Sequence, residues 1–155
     1  VKRWRGMSEV NRILVIDDDA SIRDVLTAVL EREGYLVDVA ENGSEAIRKS
    51  KIRFYNLALI DIRLPDMEGT RLLTELKETI PKMIKIILTG YPSLQNAVEA
   101  VNKNADGYLV KPINMEDLLK TVKRLLEKQR EERKFSEEKI VEFVESRAKE
   151  LEDSA

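Results

Sequence analysis

The sequence predicts an α/β fold: a doubly wound, five-stranded, mainly parallel sheet of strand order 2-1-3-4-5, with a C-terminal helical extension. Three observations lead there. Short apolar runs alternate with segments of helical periodicity from Arg12 onward. The runs are rich in β-branched residues, as strands covered on both faces are. Polar residues with chemical potential, Asp17, Asp61, Thr89 and Lys111, stand at the ends of four of them. Each parallel crossover requires a helix on one face, and such sheets bind ligands outside the carboxyl ends of their strands, where the winding direction switches.

Taken in order, Ile13 to Ile16 is a buried strand that runs into three aspartates. Ile22, Val25, Leu26, Val29 and Leu30 then recur at helical spacing, with Ser21 as the expected cap and Gly34 as the stop. Leu36 to Ala40 is less uniformly apolar and suits a sheet edge. Asn42-Gly43-Ser44 opens a weaker helix over Glu45 to Lys51, and Leu57 to Ile60 is a second buried strand ending at Asp61. Leu72, Leu73, Leu76 and Ile80 predict a helix that stops before Pro81. Ile84 to Leu88 is the fourth strand, followed by Thr89-Gly90 and by a helix carrying Leu94, Ala97, Val98 and Val101. Gly107 to Val110 is a short fifth strand leading to Lys111-Pro112, and Asn114 with Asp117 caps a helix whose apolar positions are Leu118, Leu119, Val122, Leu125 and Leu126.

Composition removes several classes of function. Against 27 basic residues stand 29 acidic ones, a net charge of -2, so no global field favours nucleic acid and no direct nucleic-acid binding is expected. Without cysteine or histidine there is no disulfide framework, no thiolate or imidazole metal site and no serine-histidine triad. No apolar run reaches the roughly 18 to 20 residues that span a bilayer, and the start lacks a signal-peptide core, so no membrane association and a cytoplasmic location are expected. Residues 1–10 read as a disordered or artefactual tail; Lys2, Arg3, Trp4 and Arg5 precede Met7 and could pass for a basic contact arm. Residues 11–128 read as one domain and residues 129–155 as a charged helical extension or linker.

Asp17, Asp18 and Asp61, brought to one sheet edge, would repel unless protonated or neutralised by a hard divalent cation. Mg²⁺ is the natural occupant, since it takes oxygen ligands in octahedral geometry and needs neither Cys nor His. A carboxylate beside it can attack phosphorus to give an acyl phosphate. Lys111 would bring a point charge to phosphoryl oxygens, and the Thr89 hydroxyl could donate to one.

These residues resemble the receiver domains of two-component response regulators, which are flavodoxin-like. The motifs occur in order: Asp17-Asp18, the stretch Leu59-Ile60-Asp61-Ile62-Arg63-Leu64-Pro65-Asp66-Met67-Glu68-Gly69, Thr89-Gly90, and Gly107-Tyr108-Leu109-Val110-Lys111-Pro112, within about Arg12 to Lys128. The resemblance implies that Asp61 is the phosphoacceptor, Asp18 a direct Mg²⁺ ligand, Asp17 a partner acting largely through metal-bound water, and Arg63 a ligand through its backbone carbonyl. Mn²⁺ would substitute. It also implies that Thr89 and Tyr108 form a switch pair, that Lys111 binds the phosphoryl group, and that Lys111-Pro112 is cis. The expected partners are a sensor histidine kinase or phosphotransfer protein, and an unidentified output protein contacting helix 4, strand 5 and helix 5, with a homodimer also possible. The implied activity is a signalling switch, with self-phosphorylation and autodephosphorylation as its only chemistry.

Each residue taken alone has a plainer reading. The aspartates and Thr89 could be caps, Tyr108 core packing and Lys111 a surface lysine. Asp17-Asp18-Asp19 also resembles the nucleophile motif of haloacid-dehalogenase-like phosphatases, which would make Asp17 the nucleophile; an unphosphorylated adaptor is a third reading. Gly90 is expected to leave room beside the site. Arg63 and Tyr91, two residues beyond Asp61 and Thr89, are expected to obstruct hydrolytic water. In the extension, Ile140, Val141, Phe143, Val144, Ala148 and Leu151 resume helical spacing after a polar run, so that Ser136 could cap a separate helix, either a solvated linker or a short dimerisation or docking helix.

Overall fold

The structure is a computed structural model that describes residues 10–154; the reading of residues 1–6 as a basic arm or artefact lies outside them. Its sheet consists of β1 (Arg12–Ile16), β2 (Leu36–Ala40), β3 (Leu57–Asp61), β4 (Ile84–Thr89) and β5 (Gly107–Val110). All neighbours pair in parallel, in the order β2-β1-β3-β4-β5. The helices are α1 (Ala20–Arg32), α2 (Gly43–Ile52), α3 (Gly69–Glu75), α4 (Leu94–Asn102) and α5 (Met115–Asp153).

The two-residue period of the strands divides the core in two. Leu14, Ile16, Ala58, Ile60 and Ile87 face the side packed by Ala46, Leu72, Leu73 and Ala100 of α2, α3 and α4. Ile13, Val15, Leu57, Leu59, Ile86 and Leu88 face Leu26 and Leu30 of α1 and Leu118, Val122 and Leu125 of α5. Burying each Leu or Ile favours the fold by roughly 1.5–3 kcal/mol. β2 lies at one edge of the sheet, and its Leu36 remains exposed, in keeping with its mixed composition.

Three local expectations are corrected. The N-cap of α1 is Asp19, not Ser21: Asp19 Oδ1 accepts from Ser21 N at 2.8 Å and Ile22 N at 3.3 Å, because the helix begins two residues earlier, at Ala20. Gly34 does lie just past the end of α1, with φ +93°, the left-handed conformation that glycine adopts most readily.

Secondly, α3 stops at Glu75 rather than reaching Ile80, which is fully exposed. The cause lies in β4. Lys85, only 5% exposed, donates its Nζ to the Leu73 carbonyl at 2.8 Å, the acceptor that a continuing helix would offer to Lys77. Lys77 N donates instead to Ser50 Oγ at 3.2 Å. Pro81 further disfavours a helical Ile80.

Burial pushes the Lys85 ammonium below its ordinary value of 10.5, with Lys82 adding to the shift. In the depressed window the unfolded chain binds the extra proton, so this group adds stability as pH rises toward 10.5 and loses it as pH falls through the folded value. Urea unfolding of the wild type and Lys85→Met across alkaline pH should therefore show the wild type gaining on the variant. Parallel pH profiles would contradict this.

Thirdly, α5 is one helix of 39 residues, and Ser136 lies inside it rather than capping a second helix. No Gly or Pro interrupts residues 115–153, and the polar run consists of good helix formers supported by pairs such as Arg133–Glu137. Beyond Gln129 the apolar residues Ile140, Val141, Phe143, Val144 and Leu151 are exposed.

Candidate functional site

β1 and β3 are adjacent and enter the same edge of the sheet, so Asp17, Asp18 and Asp61 meet there although 44 residues separate the first from the last. One carboxylate oxygen from each lies within 4.8 Å of the others. Asp17 and Asp61 are buried, at 1% and 7% exposure, while Asp18 is exposed. Lys111 reaches in from the end of β5 and places Nζ 2.9 Å from Asp17 Oδ2 and 3.4 Å from Asp61 Oδ1. Asp17 Oδ1 accepts from Asp19 N at 2.9 Å, so both of its oxygens are engaged.

The electrostatics follow from burial. Desolvation, then the Asp17 charge, pushes the Asp61 carboxyl above its ordinary range; Lys111 offsets part of this. Burial acts to lower the Lys111 value, but Asp17 and Asp61 outweigh it and hold the ammonium above its ordinary range. Three carboxylates against one lysine leave a local excess of negative charge. An oxygen-only donor set with such an excess fits Mg²⁺ or another hard divalent cation.

Thr89, at the end of β4, is completely buried, and its Oγ1 accepts from Tyr91 N at 3.0 Å. Tyr108 packs against the core cluster on the α4 side, and its hydroxyl is buried with no hydrogen-bond partner. Lys111–Pro112 is cis, as the resemblance implies. The guanidinium of Arg63 lies 4.0 Å from the centroid of the Tyr91 ring, a cation–π stack joining the loops after β3 and β4. A Cβ on Gly90 would meet Lys111 Cδ only at 3.9 Å, so an alanine would fit there. A Cβ on Gly69, by contrast, would lie 2.1 Å from the Asp61 carbonyl oxygen, so glycine is required where α3 starts against the backbone of Asp61.

Sequence reasoning assigned no role to Asp66 or Gly69. Asp66 bonds the first turn of α2, and Gly69 abuts the Asp61 backbone. The Asp66 contact has no local signature, because it depends on segments that only the fold brings together.

A doubly wound sheet with an acidic triad and a lysine at its carboxyl edge is the architecture of a response regulator receiver domain, and comparison with known proteins agrees. The sequence matches the response regulator receiver domain family over residues 13–123, and the chain belongs to that family. It is 40% identical over 114 residues to the transcriptional regulatory protein ZraR of Klebsiella oxytoca, covering 74% of this chain. The chain spans 26% of the length of that relative. A CheY-like receiver domain protein from Methanospirillum hungatei has the same fold, with TM-score 0.76 and 47% identity over 79% of this chain and 98% of its own. The Thermotoga maritima regulator TrrA, solved in complex with Mg²⁺-BeF, gives TM-score 0.67 and 36% identity over 75% of this chain and 99% of its own. Receiver domains are signalling switches rather than enzymes that turn over a metabolite. Among the described residues no helix is long and apolar enough to cross a membrane.

Proposed function

We propose that this receiver takes a phosphoryl group onto Asp61 from the phosphohistidine of a sensor histidine kinase or phosphotransfer protein, and changes conformation to control a protein partner. The observation that carries this reading is the convergence of Asp17, Asp18, Asp61 and Lys111 at one sheet edge. In the transfer, an Asp61 carboxylate oxygen bonds to phosphorus as the bond to the donor imidazole nitrogen breaks. Asp17, Asp18, Asp61 and the Arg63 carbonyl would hold Mg²⁺, or Mn²⁺ in its place. The cation supplies positive charge to phosphoryl oxygens and relieves the repulsion among the carboxylates. Lys111, already between Asp17 and Asp61, neutralises a phosphoryl oxygen.

Thr89 and Tyr108 form the switch in this reading. The Thr89 hydroxyl leaves the Tyr91 amide to donate to the phosphoryl group. A buried hydroxyl without a partner costs about 1–3 kcal/mol, so the Tyr108 ring has reason to favour a second position. The output partner would read the surface of α4, β5 and α5, where Val98, Val101 and Val110 are exposed. Residues 11–128 would constitute the switching unit and residues 129–155 an extension from it. An Asp17 nucleophile is disfavoured by the engagement of both its oxygens.

The test is intact mass after incubation with acetyl phosphate. A single phosphoryl adduct, dependent on Mg²⁺, abolished by chelator and absent from Asp61→Asn, is expected. If the wild type gains none from acetyl phosphate or phosphoramidate, the adaptor reading takes its place. The Arg63–Tyr91 stack should also obstruct hydrolytic water, so the Arg63→Ala, Tyr91→Ala double variant should lose its phosphoryl group several-fold faster. An unchanged half-life would contradict that role.

A further inference from the structure

The loop between β3 and α3 folds back as a short hairpin. Gly69 N donates to the Ile62 carbonyl at 2.7 Å, Leu64 N donates to the Met67 carbonyl at 3.2 Å, and Arg63 pairs antiparallel with Glu68. These bonds fix the shape of the hairpin, while its base is tied to β4 by Ile62 N, which donates to the Leu88 carbonyl at 3.0 Å, and to the next loop by the Arg63–Tyr91 stack. Its tip is held from outside by α2.

Asp66 Oδ1 accepts from Gly43 N, and Oδ2 accepts from both the amide and the hydroxyl of Ser44, each at 2.9 Å. The amides belong to the first turn of α2, whose N–H groups have no partner within the helix. Asn42, the N-cap of that helix, spends its own side chain on Glu45 N at 2.8 Å. The same helix end is therefore capped twice, once locally and once by a carboxylate from the hairpin tip. Met67 reinforces the junction, packing so close to Gly43 that a Cβ there would lie 2.3 Å from its Sδ. The amide bonds hold the Asp66 carboxyl below its ordinary range, as charge-assisted acceptors are held.

We propose that Asp66 is a positioning residue for the cation site: by pinning the hairpin tip to α2 it fixes the Arg63 backbone relative to Asp61, Asp17 and Asp18, without touching cation or phosphoryl group. This rests on the reading of those residues as a Mg²⁺ site. Residues that orient metal ligands typically cost 10–100-fold in metal affinity when removed, and the lower end suits one that acts through a loop.

Calorimetric titration of the full chain with Mg²⁺ alone, paired with thermal unfolding, tests this. Asp66→Ala should bind Mg²⁺ about tenfold more weakly than the wild type. Asn42→Ala, which removes the other cap from the same helix end, should lower the melting temperature while leaving Mg²⁺ affinity unchanged. Equal affinity for Asp66→Ala and wild type would overturn the proposal, as would equal weakening in Asn42→Ala, which would mean that helix stability alone is at work. Should Asp66→Ala fail to fold, Asp66→Asn, which keeps one acceptor oxygen, should show intermediate affinity, and wild-type affinity there would overturn the proposal. A wild type that binds no Mg²⁺ would overturn the site reading itself, an outcome distinct from a variant that binds normally.

Discussion

Lys111→Ala should accept phosphate from acetyl phosphate roughly 10²–10³-fold more slowly than the wild type, the usual effect of removing one preorganised charge from a phosphoryl or oxyanion site. The ammonium is placed for this before any phosphoryl group arrives, 2.9 Å from Asp17 and 3.4 Å from Asp61, on a side chain only 19% exposed. Its loss should also destabilise the metal-free protein by about 1–3 kcal/mol, because two buried carboxylates lose a charged partner. The two effects are separable: Mg²⁺ should restore most of the stability by neutralising the carboxylates, but not the rate. Wild-type phosphorylation kinetics in the variant would remove Lys111 from the chemistry and leave it as a structural ion-pair partner.

Gly69→Ala should be the most disruptive single methyl addition in the domain. The added carbon would lie 2.1 Å from the Asp61 carbonyl oxygen and 2.8 Å from Ile62 Cα, both backbone atoms that no rotamer change can move. The hydrogen bond from Gly69 N to the Ile62 carbonyl, 2.7 Å long, holds the two segments at that distance. A cost of at least about 3 kcal/mol is expected, at the upper end for overpacking. Gly90→Ala is the control, since its Cβ would make only ordinary contact with Lys111; its stability should stay within about 0.5 kcal/mol of wild type. Urea unfolding of both variants measures this. Similar midpoints for the two would contradict the close approach at Gly69.

Most of the architecture was readable because its signals are local. The apolar runs at Ile13, Leu57 and Ile84 mark central strands, the mixed composition of Leu36–Ala40 marks an edge, and Gly34 and Asn114 punctuate helices where the structure places their ends. The aspartates and Lys111 could be gathered from the rule that such sheets bind ligands at strand carboxyl ends. What escaped was non-local. The end of α3 is set by Lys85, which takes the carbonyl of a residue 12 positions earlier. The Asp66–Ser44 bond spans 22 positions and leaves no periodicity in either segment. The continuity of α5 was missed for the opposite reason: a polar run and a capping residue resemble a break, yet nothing in the run disfavours helix.

In the proposed reaction Asp61, and not Asp17 or Asp18, becomes the acyl phosphate. Borohydride reduction of the freshly phosphorylated protein converts an aspartyl phosphate to homoserine, and peptide sequencing by mass spectrometry then locates it. Homoserine at position 61 alone, formed only when Mg²⁺ was present during phosphorylation, is the predicted result. Homoserine at position 17 would overturn the assignment of Asp61 and identify the residue after the first strand as the nucleophile.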